Sequence, residues 1–396
     1  MSEYGEGTVS LRQKQTAVTW VILAAAVLVG AIARFYDLGA LPPGLYHDEA
    51  YNGLDALRVL EGARPIFFEA NNGREPLFLY GMALAMSVLG RTPYAVRLTA
   101  AVLGTLTIPA TFLMGRALFG TRVGLWSAWW MAVAPWPINL SRIGLRAVSM
   151  PLVVAVALWL WWSGRKRQGW RRVLWVAASG FFFGLGLYTY TAARFVLPAM
   201  GLYVLFQAVL WLAEGRRWRD VGREWLSDAV PLVLVAALAM APMAVYALAH
   251  WETFVERAPQ VSVFNPEISQ GKPWRLLADH LVRAVGLFTV RGDRIYRHNV
   301  SLRPLYDPLS SLFFLVGVGL CLAKVRQGEA QALALTWTGV MLLPTILAED
   351  SPHFLRAVGV LPVATLFPAL GLEQARAWVA RRGRTGWSRV LAAGVL

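Results

Sequence analysis

Ionisable side chains gather in four short stretches of the chain. The first reads His47-Asp48-Glu49-Ala50-Tyr51-Asn52, and the second is Arg74-Glu75 ahead of Pro76. The third runs Arg291-Gly292-Asp293-Arg294-Ile295-Tyr296-Arg297-His298-Asn299, and the fourth Glu349-Asp350-Ser351-Pro352-His353-Phe354-Leu355-Arg356. A carboxylate at Asp48 or Glu49 is the kind of group that takes a proton from a hydroxyl. Guanidinium groups at Arg74, Arg297 and Arg356, with His298 beside them, are the kind that hold phosphate oxygens, Arg through a two-pronged fork. Each stretch also has a plainer reading. Asp48 serves as a helix N-cap with Glu49 on the helix dipole, Arg74 as an interfacial anchor, and Arg297-His298 as part of a solvated charge run. Other chemistries lack their residues: no Walker loop, no GxGxxG after a strand and no GxSxG is present. The histidines have no HExxH spacing. No metal ligand set is assigned, although His47 next to Asp48 and Glu49 leaves a divalent metal open as a cofactor. A lone cysteine, Cys321, rules out an intrachain disulfide.

These residues need elements to position them, and composition says which. Of 396 residues 57% are apolar and only 15% charged, too apolar for a water-soluble globule or a disordered chain. Apolar runs near the length that spans a bilayer occur at 17–36, 94–115, 123–138, 147–163, 173–190, 195–213, 229–249, 308–323, 331–348 and 355–372. The expected fold is an all-α polytopic membrane protein of about 10–11 transmembrane helices, one domain over 1–396. Pro76–Leu89 is too short to cross and reads as an interfacial or re-entrant helix. A helix is expected from Asp48 to before Gly62, carrying Asp48, Asn52 and Asp55 on one polar face. Residues 272–290 read as an amphipathic helix lying in the interface. The chain ends seven residues into an apolar run starting at Val390, so truncation is left open.

The net charge of +15 follows membrane topology rather than nucleic acid. With Pro76–Leu89 not crossing, the loops 1–16, 116–122, 164–172, 214–228, 324–329 and 373–389 share one side. They hold about 20 basic side chains against about 8 acidic ones, and the positive-inside rule makes that side cytoplasmic. The chain is thus expected in the cell membrane with its N-terminus in the cytoplasm. The outer face then carries two long segments, 37–93 and 250–307, and short turns with Asn139, Arg142, Arg146, Tyr190 and Arg194. All four ionisable stretches fall on that non-cytoplasmic face, whereas an ion pathway would want such groups at mid-depth.

The stretch from Pro42 to Gly120 resembles the membrane glycosyltransferases of the GT-C fold. It is most similar to the dolichyl-phosphate-mannose protein mannosyltransferase-like group, which includes bacterial lipopolysaccharide-core sugar and lipid A aminoarabinose transferases. The residues that carry the resemblance are Pro42-Pro43-Gly44, Asp48-Glu49-Ala50-Tyr51, Arg74-Glu75-Pro76-Leu77, Gly90, Arg97, Gly104-Thr105-Leu106-Thr107 and Gly115-Arg116-Ala117-Leu118-Phe119-Gly120. Arg297-His298-Asn299 and Pro352-His353-Phe354-Leu355-Arg356 are similar to outer-loop motifs of bacterial members. The chain departs from the group at Asn139-Leu140-Ser141-Arg142, where a carboxylate is lacking, so acceptor and metal use do not carry over.

The resemblance implies interfacial helices in the first outer loop, a polyprenyl-phosphate sugar donor and inverting transfer to a hydroxyl of a lipid, glycan or protein. It implies Asp48 as catalytic base and Arg74 at the donor phosphate. Glu49 is expected as the second catalytic carboxylate, orienting the loop or a sugar hydroxyl. Donor phosphate and sugar are expected on Tyr51, Asn52, Arg74, Glu75, Arg142, Arg297, His298 and Arg356. Membrane lipids are the remaining partner, and nucleic acid is not expected. A transporter or flippase, a polysaccharide ligase or polymerase, and a non-catalytic scaffold are the competing readings.

Overall fold

The structure is a computed structural model that describes residues 3–70 and 72–382, without the side chains of 3–12, 14 and 382. Asn71, Arg384, Arg389 and the run from Val390 lie outside the described residues, as do the side chains of Arg12 and Lys14. Among the described residues there is no strand, only isolated bridges between Phe68 and Arg74 and between Ser262 and Ala348.

Among the described residues thirteen helices of thirteen residues or more follow in order. They are α1 (Glu3–Phe35), α2 (His47–Leu60), α3 (Leu77–Leu89), α4 (Pro93–Phe119), α5 (Thr121–Val133), α6 (Ser149–Arg165), α7 (Gly169–Gly186), α8 (Val196–Ala213), α9 (Trp218–Ala249), α10 (Pro273–Gly286), α11 (Pro308–Lys324), α12 (Glu329–Ile346) and α13 (Leu366–Arg382). The chain is a multi-pass, all-α membrane protein. Among the described residues six helical segments are long and apolar enough to cross a bilayer, or up to seven if the pair α11 and α12, bent by 118°, is one span.

Every expected apolar run becomes helix, but not each as one full crossing. Pro135 and Pro137 cut the 123–138 run, so α5 stops at Val133 and a six-residue helix, Pro135–Leu140, follows. The 355–372 run is likewise broken, into Val358–Val360, Leu361–Ala364 and the start of α13. The helix α3 has 13 residues, about 20 Å of rise, short of the roughly 30 Å hydrocarbon layer. The interfacial helix expected at 272–290 forms as α10, Pro273–Gly286.

Helix ends buried in an apolar bundle leave carbonyls that need donors. Arg34, fully buried, supplies them at the end of α5. It donates to Met131 O (2.8 Å), Ala132 O (3.0 Å) and Gly30 O (2.9 Å). Arg142 does the same for the end of α1, donating to Ala33 O at 2.9 Å and Tyr36 O at 2.8 Å, and on to Leu41 O at 3.1 Å. Pro242, inside the continuous helix α9, removes a backbone donor, and the neighbouring groups are met differently. The Tyr188 hydroxyl donates to Ala239 O (2.8 Å) and accepts from Met243 N–H (3.3 Å), while the Tyr188 carbonyl accepts from Leu77 N–H at the start of α3 (3.1 Å).

At the end of the bundle away from the first loop, the expected cytoplasmic loops are tied together. Arg165 pairs with Glu329 (2.8 Å) and Asp228 (3.3 Å), Arg172 with Asp228 (2.7 Å) and Arg122 with Glu373 (3.6 Å). Lys166 donates to Ala117 O at 2.7 Å.

The pair α7 and α9 pack backbone to backbone, because a Cβ on Gly180 would lie 2.3 Å from Leu232 O. Gly180→Ala should therefore lower stability by about 1–3 kcal/mol, the usual effect of overpacking. Gly201→Ala, with nothing within 4 Å of its Cβ position, should be neutral or stabilising by up to about 1 kcal/mol. Thermal unfolding of the two variants in detergent checks the contrast.

Candidate active site

One end of the bundle holds a cavity of about 460 Å³. Its walls come from six separate parts of the chain: 48–75, 145–147, 190–195, 254–262, 297–298 and 344–356. Convergence of segments so far apart in sequence depends on how the first loop is fixed.

The loop is fixed by Glu49. The helix α2 begins at His47 with Tyr46 as N-cap, whose N–H donates to Glu49 Oε2 at 3.0 Å. Glu49 Oε1 accepts from Arg97 Nε (2.9 Å) and Gly144 N–H (2.8 Å). Arg97, itself fully buried, also donates to Pro42 O (2.8 Å), to Leu38 O (3.3 Å) and to Gly44 O. One guanidinium thus ties the Pro-Pro-Gly turn, the start of α2 and α4 together. Glu49 is locked in this pair and does not line the cavity.

Asp48, one residue earlier on the helix, does line it. Its side chain keeps 31% of its surface exposed and lies 3.5 Å from the His47 ring. The polar face of α2 points inward behind it. Asn52 donates to Gly144 O (2.8 Å) and accepts from Arg74 NH1 (3.1 Å), and Arg74 pairs with buried Asp55. Burial raises the Asp55 pKa and lowers that of Arg74, and attraction between the two opposes both shifts. The next residue, Glu75, accepts from Arg146 Nε (2.6 Å) and from the Thr191 hydroxyl (3.1 Å). Arg146 lies over the Tyr190 ring at 5.3 Å, and burial raises the Tyr190 pKa.

The far wall is basic. Arg194 donates to Phe254 O (3.1 Å) and sits 4.2 Å over the Phe254 ring. Arg297 stands over the Tyr46 ring at 4.2 Å and donates to its hydroxyl. Arg356 and Arg257 share Glu349, at 3.4 and 3.7 Å. The rings of His298 and His353 lie 4.8 Å apart.

Of the residues the sequence singled out, the cavity brings together Asp48, Asn52, Arg74, Glu75, Arg297, His298 and Arg356. It does not include Glu49, Tyr51 or Arg142. Tyr51 faces outward, 5.8 Å from the Arg74 guanidinium, and Arg142 is consumed by the end of α1. Arg146, Tyr190, Arg194 and His353 were placed on this face by the sequence without a role. Thr191, Phe254 and Arg257 were missed, since single residues in short connections carry no local signal.

Asp293, His298 and His353 are buried, with possible ligand atoms within 4.8 Å of one another. Their lone pairs are largely used already. Asp293 Oδ2 accepts from His298 Nδ1 (3.0 Å) and Phe354 N–H (2.8 Å), and its Oδ1 from Ile295 N–H (2.8 Å). His298 Nε2 accepts from Arg297 Nε at 2.9 Å. This donor set suits a hydrogen-bonded chain ending on a guanidinium better than it suits a second cation. His47 lies outside the group.

Comparison with known proteins gives the following. Residues 73–246 match the dolichyl-phosphate-mannose-protein mannosyltransferase family. No curated protein matches the chain. Among solved structures, the Archaeoglobus fulgidus oligosaccharyltransferase AglB, in complex with an inhibitory peptide and a dolichol-phosphate, superposes with TM-score 0.63 at 15% identity, covering 96% of this chain and 54% of that one. ArnT from Cupriavidus metallidurans bound to undecaprenyl phosphate gives TM-score 0.59 at 15% identity, over 96% of this chain and 70% of that one. The chain therefore spans about half the length of the archaeal protein.

Glu49→Gln keeps the shape but leaves Arg97 buried without a counter-charge, so stability should fall by about 3–5 kcal/mol. Asp48→Asn should leave the melting temperature near that of the parent, and equal losses in both would contradict this separation of roles.

Burial lowers the pKa of His280, His298 and His353. Below the ordinary histidine pKa of about 6.5 the unfolded chain binds protons that the folded one refuses. Stability is thus fully present above that pH and falls on acidification. Melting should occur at lower temperature at pH 5.5 than at pH 7.5, with a smaller difference in His353→Gln.

Proposed function

We propose that this chain, which shares the fold of ArnT and AglB and matches the dolichyl-phosphate-mannose-protein mannosyltransferase family over residues 73–246, moves a sugar from a polyprenyl-phosphate donor to an acceptor hydroxyl with inversion. The observation that carries the reading is one cavity lined by a partly exposed carboxylate, Asp48, and by Arg74, Arg297 and Arg356 from distant parts of the chain. The dolichol-phosphate bound by AglB and the undecaprenyl phosphate bound by ArnT give the anion class those guanidinium groups suit.

The donor's tail stays in the bilayer and its phosphate enters the cavity, which confines the anomeric carbon near Asp48 and reduces the orientational search. The acceptor oxygen attacks that carbon from the side opposite the phosphate, and its proton passes to Asp48. The carbon–oxygen bond to phosphate breaks with its electron pair on the phosphate, which leaves as a polyprenyl phosphomonoester. Negative charge grows on that leaving group. Arg297 and Arg356, prepositioned on Tyr46 and Glu349, stabilise it more in the transition state than in the ground state. Arg74, held by Asp55 and Asn52, supplies a fixed positive charge behind Asp48. Glu75 holds Arg146 and Thr191 on the cavity wall. The clustering of basic loops at the opposite end of the bundle supports a cavity that opens on the non-cytoplasmic face.

Asp48→Asn, reconstituted with undecaprenyl-phosphate-linked sugars and acceptor extracts, should lower transfer by about 10²–10⁴-fold, the usual contribution of a general base. Undiminished transfer by correctly folded Asp48→Asn would rule out that residue as the base.

A further inference from the structure

We propose that Asp293 and His298 are positioning residues for Arg297, holding its guanidinium in the cavity through one defined histidine tautomer. The identity of the anion that Arg297 meets rests on the glycosyl-transfer reading; the arrangement of the three side chains does not.

The argument begins with hydrogen counting. An arginine has only donors, so the contact of Arg297 Nε with His298 Nε2 at 2.9 Å requires a lone pair on Nε2. The proton of a neutral His298 then sits on Nδ1, where Asp293 Oδ2 accepts it at 3.0 Å. Asp293 cannot turn away, because Phe354 N–H and Ile295 N–H hold its two oxygens from opposite sides. Both Asp293 and His298 are about 1–2% exposed, so water does not compete for these bonds. The far end of Arg297 is braced as well, over the Tyr46 ring and on its hydroxyl, and its own carbonyl accepts from Asn139 at 3.1 Å.

The chain Asp293–His298–Arg297–Tyr46 therefore joins the 291–299 loop to the cap of α2, two residues before Asp48. His298 is the joint. With the proton moved to Nε2, it would present a donor to a donor and push Arg297 off. Preorganising a long, flexible cation in this way removes rotamer entropy that the ligand would otherwise have to overcome. It is also why His298 and Asp293 are read as serving Arg297 rather than as proton carriers or metal ligands.

Asparagine and glutamine separate the two ring nitrogens. In His298→Asn the amide N–H reaches Asp293 as Nδ1 does, but nothing remains to accept from Arg297. In His298→Gln the amide oxygen takes the place of Nε2. With undecaprenyl phosphate as probe and the full chain in detergent, Arg297→Ala and His298→Asn should each weaken binding on the order of tenfold, the worth of one charge-assisted hydrogen bond. His298→Gln should bind like the parent. The double variant Arg297→Ala/His298→Asn should be no worse than Arg297→Ala alone, since the two act through one contact. Multiplied losses in the double variant, or equal losses in His298→Asn and His298→Gln, would overturn the proposal.

A second measurement stands apart from the donor. Nitrogen-15 NMR of the histidine rings should find His298 protonated at Nδ1 and bare at Nε2, in the parent and in Arg297→Ala. A proton on Nε2, or a ring resonance that shifts when EDTA is added, would overturn the arrangement itself. Failure of the parent to bind undecaprenyl phosphate, with the tautomer as stated, would instead sink the donor reading and leave the positioning device standing.

Discussion

Arg97 is a charge in a place where charge is expensive, and much of the active end follows from how it is satisfied. It is fully buried in α4, so it must meet acceptors or destabilise the fold. It finds them in the Glu49 carboxylate and in carbonyls of the turn between α1 and α2. Those partners are the loop that carries Asp48. Two adjacent carboxylates thereby receive opposite assignments: one is desolvated and immobilised as an anchor, and its neighbour, a hundred degrees around the helix, is left at the cavity surface.

The same economy recurs around the cavity. Its cations are seldom held by salt bridges alone. Arg146 spans Glu75 and Gly73 O, Arg194 rests on a phenyl ring and a carbonyl, and Arg297 on a tyrosine and a histidine. A guanidinium braced by neutral groups keeps most of its field for a ligand, whereas one fully paired with a carboxylate is screened. Arg74, paired with Asp55, and Arg297, braced on Tyr46 and His298, mark the two extremes.

The helical, membrane-spanning character was legible in the sequence because apolar runs and basic loops report directly on bilayer thickness and topology. The first loop was legible because Pro42-Pro43-Gly44, Asp48-Glu49 and Arg74-Glu75 sit close together in order. The division of labour between Asp48 and Glu49 was not, since it depends on Arg97 and Gly144, forty-eight and ninety-five residues away from Glu49. Arg142 looked like a site residue for the same reason Arg297 did: an arginine on the right face. Only the orphaned carbonyls at the end of α1 distinguish them. Asp293 stood in plain view in a charge-rich stretch, yet its partnership with His298 needed a loop folded back upon itself. Arg257 and Thr191 had no pattern at all, because their significance is purely one of place.

The hydroxyl of Tyr188 bridges the step in α9 next to Pro242, and the carbonyl of the same residue receives the first N–H of α3. A proline step in lipid normally fixes a helix in one bend, because straightening or deepening it would strip a backbone group of its partner. Here the partner is a side-chain tip, which can follow the backbone as it flexes. One residue thus ties the middle of α9 to the first turn of α3, the helix that follows Arg74 and Glu75. Any shift of α9 would therefore pull on the wall of the chamber.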